Sequence, residues 1–174
     1  MIKADKAVFA GGCFWCVEAA YQDLDGVLDA VSGFTGGKLK NPTYKGDHKG
    51  HYEAVEVTFD PGVITYQQLL DIFWVNIDPF DNRGQFCDKG PSYRSAIFVD
   101  NDQRELAVAS KDKVTAEFPG TTVYTEILDN TTFYPVENYH QDYYKKNPIR
   151  YHFYRSGCRR DARLSQIWGA SSDK

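Results

Sequence analysis

The alternation of apolar and polar residues along the chain predicts short strands separated by amphipathic helices. A period of two is clearest in G-V-L-D-A-V-S-G-F-T and H-Y-E-A-V-E-V-T-F, which is typical of strands. The predicted strands cover residues 6–10, 26–35, 51–59, 95–99 and 123–128. The predicted helices cover residues 13–22, 65–75, 102–116, 161–168 and an aromatic-rich segment, 133–147, that is helical from about residue 136. The Gly, Pro and Asn content of residues 38–50 and 76–93 predicts loops there.

The order of these elements predicts an α+β fold. The series β-α-β-β-α-β, followed by α-β-α, indicates a ferredoxin-like α/β sandwich core with an antiparallel or mixed sheet and helices on one side. There is no internal repeat, low-complexity tract or linker, so residues 1–174 are predicted to form a single domain. Residues 148–174 form an extended C-terminal tail in this prediction.

Charge and hydropathy exclude two classes of partner. The net charge is −4 and no concentrated basic face is evident, so we expect no nucleic-acid partner. No apolar run approaches the roughly 20 residues that span a bilayer, and the N-terminal residues lack the apolar stretch of a signal peptide. We therefore expect a cytoplasmic location with no membrane contact. Nothing in the sequence suggests an obligate dimer, so we expect a monomer. A periplasmic or secreted location is the alternative if a signal peptide has been removed.

Four cysteines are too few for a disulfide scaffold in a chain of 174 residues. Cys13 and Cys16 form a close pair, whereas Cys87 and Cys158 stand alone, so we expect no metal site. Cys13 follows a strand and two glycines and begins a helix, where backbone N–H groups and the helix dipole lower a thiol pKa. Cys16 lies one turn further in, where this effect is weaker and burial is more common.

Position along the chain also predicts the surroundings of Phe14, Trp15 and Glu53. Phe14 and Trp15 at the start of a helix cannot both point into the core, so at least one is expected to form an apolar wall beside the thiol. Glu53 shares a strand face with Val55 and Val57 if the period of two holds. Its carboxyl group would then lie among apolar neighbours, which disfavour the charged form.

Seven motifs carry a resemblance to a known family. They are G-G-C-F-W-C-V-E, G-F-T-G-G, N-P-T-Y, G-H-Y-E-A-V-E-V-T-F-D-P, F-W followed by D-P, D-K-G-P-S-Y-R-S-A-I-F and F-Y-P-V-E-N-Y-H-Q-D-Y. Together, and in this order, they resemble the peptide methionine sulfoxide reductases of the A type over residues 9–147. The resemblance implies reduction of methionine-S-sulfoxide, free or in oxidised proteins, to methionine.

The resemblance also implies a role for each site residue. Cys13 would attack the sulfoxide sulfur, and Glu53 would protonate the sulfoxide oxygen, because a sulfoxide is a poor electrophile until its oxygen accepts a proton. The remaining matches are the methyl pocket, the two oxygen-binding tyrosines and a supporting carboxylate, namely Phe14 with Trp15, Tyr44 with Tyr93, and Asp88.

Resolution of the resulting sulfenic acid needs a second thiol. By resemblance this is Cys158, which lies in R-S-G-C-R-R with Gly157 allowing reach. Cys16 stays open as an alternative, and Cys87 is interpreted as a bystander. The resemblance implies that thioredoxin reduces the final disulfide and that no bound cofactor is needed.

Two other functions remain open on the residues alone. A thioredoxin-like disulfide oxidoreductase would use Cys13 and Cys16 as its C-x-x-C pair and would not need Cys158. A non-catalytic module could use an aromatic pocket to bind a ligand such as a methylated ammonium, and it would tolerate Cys13→Ser.

Overall fold

The computed structural model describes residues 3–169. Within this range the strands are β1 (Asp5–Gly11), β2 (Val27–Thr35), β3 (Tyr52–Phe59), β4 (Gly84–Gln85), β5 (Asp88–Lys89), β6 (Ser95–Val99), β7 (Glu126–Asp129) and β8 (Tyr134–Pro135). The helices are α1 (Phe14–Tyr21), α2 (Tyr66–Val75), α3 (Arg104–Glu117), α4 (Tyr143–Lys146), α5 (Pro148–Gly157) and α6 (Arg160–Trp168). No helix in the described part of the chain is long and apolar enough to cross a membrane.

The main sheet has the order β7-β6-β1-β3-β2-β8. Its four inner strands, β6-β1-β3-β2, pair antiparallel throughout and follow the fourth-first-third-second order of a ferredoxin-like core. Strand β7 extends one edge in parallel with β6, and β8 extends the other edge. The predicted α+β fold with a ferredoxin-like core is therefore confirmed.

The core is built from the two faces of this sheet. Val55, Val57 and Phe59 of β3 belong to the larger apolar cluster, which also contains buried residues of α1 and α2. Tyr52 and Ala54 point to the opposite face, where a smaller cluster includes residues of β1 and β6. The period of two predicted for β3 is confirmed, and Glu53 lies on the face of the larger cluster.

The sequence-predicted start of α2 is also confirmed. Thr65 is the N-cap residue, and its hydroxyl accepts the Gln68 N–H at 3.1 Å. The Gln68 side chain accepts the Thr65 N–H at 2.9 Å in return, which completes a capping box.

The helix predicted from residue 136 is wrong. Residues 134–146 instead form β8, a 3₁₀ turn over Asn138–His140 and the short helix α4. Tyr134 pairs with Phe34 at the edge of the sheet, where the missing N–H of Pro135 is tolerated. Asp142 has φ 54°, a left-handed conformation that no continuous helix contains.

The C-terminal region is more ordered than the sequence suggests. Helix α6 is confirmed close to its predicted bounds, but α5 occupies residues 148–157, where no helix was predicted. Arg160 at the start of α6 is buried, and its Nη2 donates to the carbonyls of Gly11 at 3.1 Å and Asn76 at 2.7 Å. Residues 170–174 of the predicted tail lie outside the described residues.

The predicted loop over residues 76–93 is held by a buried glutamine. Gln85 Nε2 donates to the carbonyls of Asp78 at 2.7 Å and Gly84 at 2.9 Å, and Gln85 Oε1 accepts the Asp78 N–H at 2.8 Å. Strands β4 and β5 pair as a two-residue hairpin in the same segment. These bonds fix the backbone on either side of Cys87 and Asp88.

Candidate active site

The turn between β1 and α1 places Cys13. Gly12 has φ 88°, and a Cβ atom there would lie 2.5 Å from Gln85 Cβ, so the turn requires glycine. Cys13 is the N-cap residue of α1, and its carbonyl accepts the N–H groups of Cys16 at 3.1 Å and Val17 at 3.4 Å. Its side chain is only 6% exposed. The turn therefore delivers the thiol to a covered position at the start of the helix.

Glu53 lies beside the start of the same helix. Its Oε1 accepts the N–H of Phe14 at 3.3 Å, and Oε2 is buried with no hydrogen-bond partner among residues 3–169. Burial raises the pKa of the Glu53 carboxyl to about 8, with a further contribution from the nearby Asp88 and an opposing one from the Phe14 N–H. The carboxyl is therefore mainly protonated at neutral pH, in line with its predicted apolar face.

The sequence left open which of Phe14 and Trp15 points into the core, and the structure places the two rings differently. Phe14 is fully buried and meets Phe34 edge-on at 5.8 Å between ring centroids. Trp15 is half-buried, and its ring stacks on Tyr143 at 3.9 Å. Trp15 therefore forms the outer aromatic wall, while Phe14 forms the inner one.

Tyr44 from residues 38–50, and Asp88 and Tyr93 from residues 76–93, converge on this region. Burial, and next the Glu53 carboxylate, raise the pKa of both tyrosine hydroxyls, so each remains a hydrogen-bond donor. The Tyr44 ring lies 5.9 Å from that of Phe14. Burial also raises the pKa of Asp88 to about 6. The structure thus brings Cys13, Phe14, Trp15, Glu53, Tyr44, Asp88 and Tyr93 into one site.

The thiol pair differs from the sequence-based expectation. Burial raises the pKa of the Cys13 thiol well above its ordinary value, and the hydrogen bond to Cys16 and the nearby carboxylates add to this. The pKa of Cys16 is lowered by that same hydrogen bond and by Arg160 and Arg155. The predicted lowering at Cys13 is wrong for this structure because burial outweighs the helix terminus.

Cys158 does not contact Cys13. It forms a disulfide with Cys87, with the two Cα atoms 4.9 Å apart, while Cys13 and Cys16 are buried free thiols. The interpretation of Cys87 as a bystander is therefore wrong. The pair was hidden in the sequence because 71 positions separate the two cysteines. Cys87 is exposed and Cys158 half-buried, so the bond faces a surface cleft of about 520 Å³.

Three aromatic residues at the site were not assigned from the sequence. His140 Nδ1 accepts the Trp15 Nε1–H at 3.1 Å, and its ring lies 4.2 Å from that of Tyr44. Tyr143 stacks on Trp15, and the Tyr154 hydroxyl donates to Asp88 Oδ2. The aromatic-rich stretch F-Y-P-V-E-N-Y-H-Q-D-Y was the signal that could have placed His140 and Tyr143 here.

A nucleophilic thiol next to a neutral carboxyl group, with a surface disulfide close by, defines the class of thiol-dependent oxidoreductases. A family model described as peptide methionine sulfoxide reductase matches residues 5–172. The chain belongs to the peptide methionine sulfoxide reductase family.

Individual relatives agree with this membership. Peptide methionine sulfoxide reductase MsrA 2 of Caulobacter vibrioides is 52% identical over 170 residues, covering 96% of this chain and 87% of the relative. The crystal structure of Mxr1 from Saccharomyces cerevisiae in reduced form is 33% identical with a TM-score of 0.76, covering 84% of this chain and 87% of that one. Mxr1 in complex with Trx2 is 25% identical with a TM-score of 0.57, covering 81% and 85%.

Proposed function

We propose that the protein is an A-type methionine sulfoxide reductase that converts methionine-S-sulfoxide, free or in proteins, to methionine with thiols as the electron source. The observation that carries this proposal is the hydrogen bond between Glu53 Oε1 and the N–H of Phe14, the residue next to Cys13. It holds a carboxyl group with a pKa of about 8 beside the nucleophile, where a sulfoxide oxygen needs its proton.

In the first step, the oxygen of the sulfoxide moves from the substrate sulfur to the Cys13 sulfur. The Cys13 sulfur attacks the sulfoxide sulfur while Glu53 protonates the sulfoxide oxygen, and the proton released by Cys13 restores Glu53. The transient bond between the two sulfurs and the S–O bond of the substrate then break as the hydroxyl group moves to Cys13, where a new S–O bond forms. The products are methionine and Cys13 sulfenic acid, so the sulfoxide is reduced and the thiol is oxidised.

The walls of the site orient this reaction. Phe14 and Trp15 supply an apolar surface for the S-methyl group, and this contact favours a sulfoxide over a fully polar ligand. The hydroxyls of Tyr44 and Tyr93 stay protonated because their pKa values are raised, and they donate to the oxygen as negative charge develops. Asp88, close to both tyrosines, supports the oxygen site.

Two exchange steps then recycle Cys13. The Cys158 thiol condenses with the sulfenic acid to form a Cys13–Cys158 disulfide and water. The Cys87 thiol attacks Cys158 and releases Cys13, leaving the Cys87–Cys158 disulfide that the structure contains. This order moves the oxidised bond from a buried site to the surface.

A thioredoxin-type dithiol then reduces the surface disulfide and becomes a disulfide itself. The complex of the structural relative Mxr1 with Trx2 supports this choice of partner. Because all electrons come from thiols, the scheme needs no resident cofactor. The proposed working unit is a monomer.

Turnover with methionine sulfoxide tests the assignments. Cys13→Ser is expected to be inactive with either dithiothreitol or thioredoxin. Cys158→Ser is expected to remain active with dithiothreitol and to lose turnover with thioredoxin, whereas Cys16→Ser should keep activity with both. Activity of Cys13→Ser would refute the mechanism. Full thioredoxin-dependent activity of Cys158→Ser would transfer the resolving role to Cys16 or Cys87.

A further inference from the structure

We propose that α5 is a redox-controlled lid: the Cys87–Cys158 disulfide holds α5 over the active site, and reduction of this bond admits the substrate. The inference rests on the proposed function, because it concerns access to the site assigned there. Its purpose would be to make substrate entry conditional on a free Cys158 thiol.

Helix α5 covers groups that the substrate needs. The Tyr154 ring meets Trp15 edge-on at 5.6 Å, and the Tyr154 hydroxyl donates to Asp88 Oδ2. Cys13 and Cys16 are 6% and 2% exposed. In this closed position α5 lies across Trp15 and Asp88, and the proposed lid has a second, open position in which these groups are free.

A second contact ties the lid to the thiol pair. The Tyr151 hydroxyl hydrogen-bonds with Cys16 and accepts from Arg155 Nη1 at 3.0 Å. Arg155 also forms a bidentate ion pair with Asp161 of α6, at 2.6 to 3.0 Å. Polar bonds therefore connect α5 to α1 on one side and to α6 on the other.

The lid lacks an apolar anchor of its own. No residue of α5, which lies wholly in the described range, is fully buried, and Ile149 and Phe153 are each 75% exposed. Helix α6, in contrast, buries Arg160 and Leu164. Because apolar burial is the main force that docks a helix, α5 is held by its polar contacts and by the covalent bond at Cys158.

The closed lid also bears on which thiol of the Cys13–Cys16 pair ionises. Arg155 and Tyr151 come from α5, and with Arg160 they favour the thiolate on Cys16 rather than on Cys13. Movement of α5 removes two of these groups. Opening would thus expose Cys13 and release the constraint on its ionisation together.

There is a chemical reason to couple reduction of the Cys87–Cys158 disulfide to opening of α5. A dithiol reductant transfers two electrons and two hydrogens to the Cys87–Cys158 bond, giving two thiols and becoming a disulfide. The lid then opens at the moment when Cys158 becomes able to resolve a sulfenic acid. A substrate arriving earlier would leave Cys13 oxidised with no partner.

Limiting iodoacetamide labelling of the full chain tests the lid directly. Labelling of Cys13 is followed by fragment masses that separate it from Cys16, in enzyme prepared with the disulfide intact and in enzyme reduced with dithiothreitol and then freed of it. We expect Cys13 to react about tenfold more slowly, or slower still, in the disulfide form. In that form Tyr154→Ala should restore fast labelling, whereas Phe153→Ala, on the exposed face of the same helix, should not.

Other labelling results would overturn the proposal. Equal labelling of the two wild-type forms, whether fast or slow, would mean that the disulfide does not control access. Slow labelling of Tyr154→Ala in the disulfide form would remove α5 as the cover. Cys158→Ser provides a second check, because it should label at the rate of the reduced wild type. Loss of sulfoxide turnover with the expected labelling rates would count against the proposed function alone.

Discussion

Replacement of Glu53 by glutamine tests whether a neutral carboxyl group is built into the site. Its pKa is raised from an ordinary 4.5 to about 8, mainly by burial. Between these values the folded state keeps a proton that the unfolded state has lost. The free energy of unfolding must therefore fall as pH rises through this window, because the raised pKa favours the folded state only under acidic conditions.

The size of this effect follows from the two pKa values. Integrating the proton linkage from about pH 5 to about pH 9 gives a wild-type loss of ~4 kcal/mol from this group. Glu53→Gln cannot ionise, so the difference in unfolding free energy between the variant and the wild type should grow by that amount, to the benefit of the variant. Glu18 and Asp88 also have raised pKa values, but they are present in both proteins and cancel from the difference.

Urea unfolding at a series of pH values measures the stability difference. Steady-state kinetics tests the role of Glu53 as the general acid. Glu53→Gln should lower turnover by about one to three orders of magnitude. The fall of wild-type kcat/KM above about pH 8 should be absent in the variant. Glu56→Gln is the matched control on β3, since Glu56 forms a surface ion pair with Lys6 at 3.3 Å. A stability difference that does not depend on pH would refute the buried neutral acid.

Four other substitutions test the framework of the site. Tyr44→Phe and Tyr93→Phe should each lower kcat/KM about tenfold to a hundredfold in steady-state assays, and unchanged values would exclude them as oxygen donors. Arg160→Met should lower the free energy of unfolding in urea by about 2 kcal/mol, because two backbone carbonyls lose their buried donor, and a neutral result would contradict that role. Gly12→Ala should lower the free energy of unfolding by about 2 kcal/mol, because residue 12 has a positive φ and the added Cβ would clash with Gln85. An unchanged Tm in calorimetry would contradict this.

The pattern of apolar residues predicted the parts of the site that belong to the core sheet. The alternation in β3 placed Glu53 on the face of Val55 and Val57, and the structure has it there. Cys13, the N-cap of α1, was placed by a different local signal, two glycines between a strand and a helix. The prediction for Glu53 succeeded because burial in a sheet imposes a fixed period on the sequence.

The contributions of the C-terminal region could not be predicted in this way. Helix α5 buries no residue of its own, so it leaves no apolar stripe for a periodicity to detect. The raised pKa of Cys13, which reverses the expected shift, depends on burial and on the hydrogen bond to Cys16, and the pKa of Cys16 is itself lowered in part by Arg155 of α5. The partnership of Cys87 with Cys158 likewise exists only after the chain has folded.

The central position of β1 bears on how the protein is made. Phe9 pairs with Val55 on one side and with Ile97 on the other. A nascent chain emerging from the ribosome therefore presents β1 first but cannot pair both of its edges until β6 has been synthesised. The β2–β3 ladder, which is nearer in sequence, is expected to form earlier. Cys13 follows directly on β1, so its surroundings are completed late in biosynthesis, after β6 and then α5 have been made.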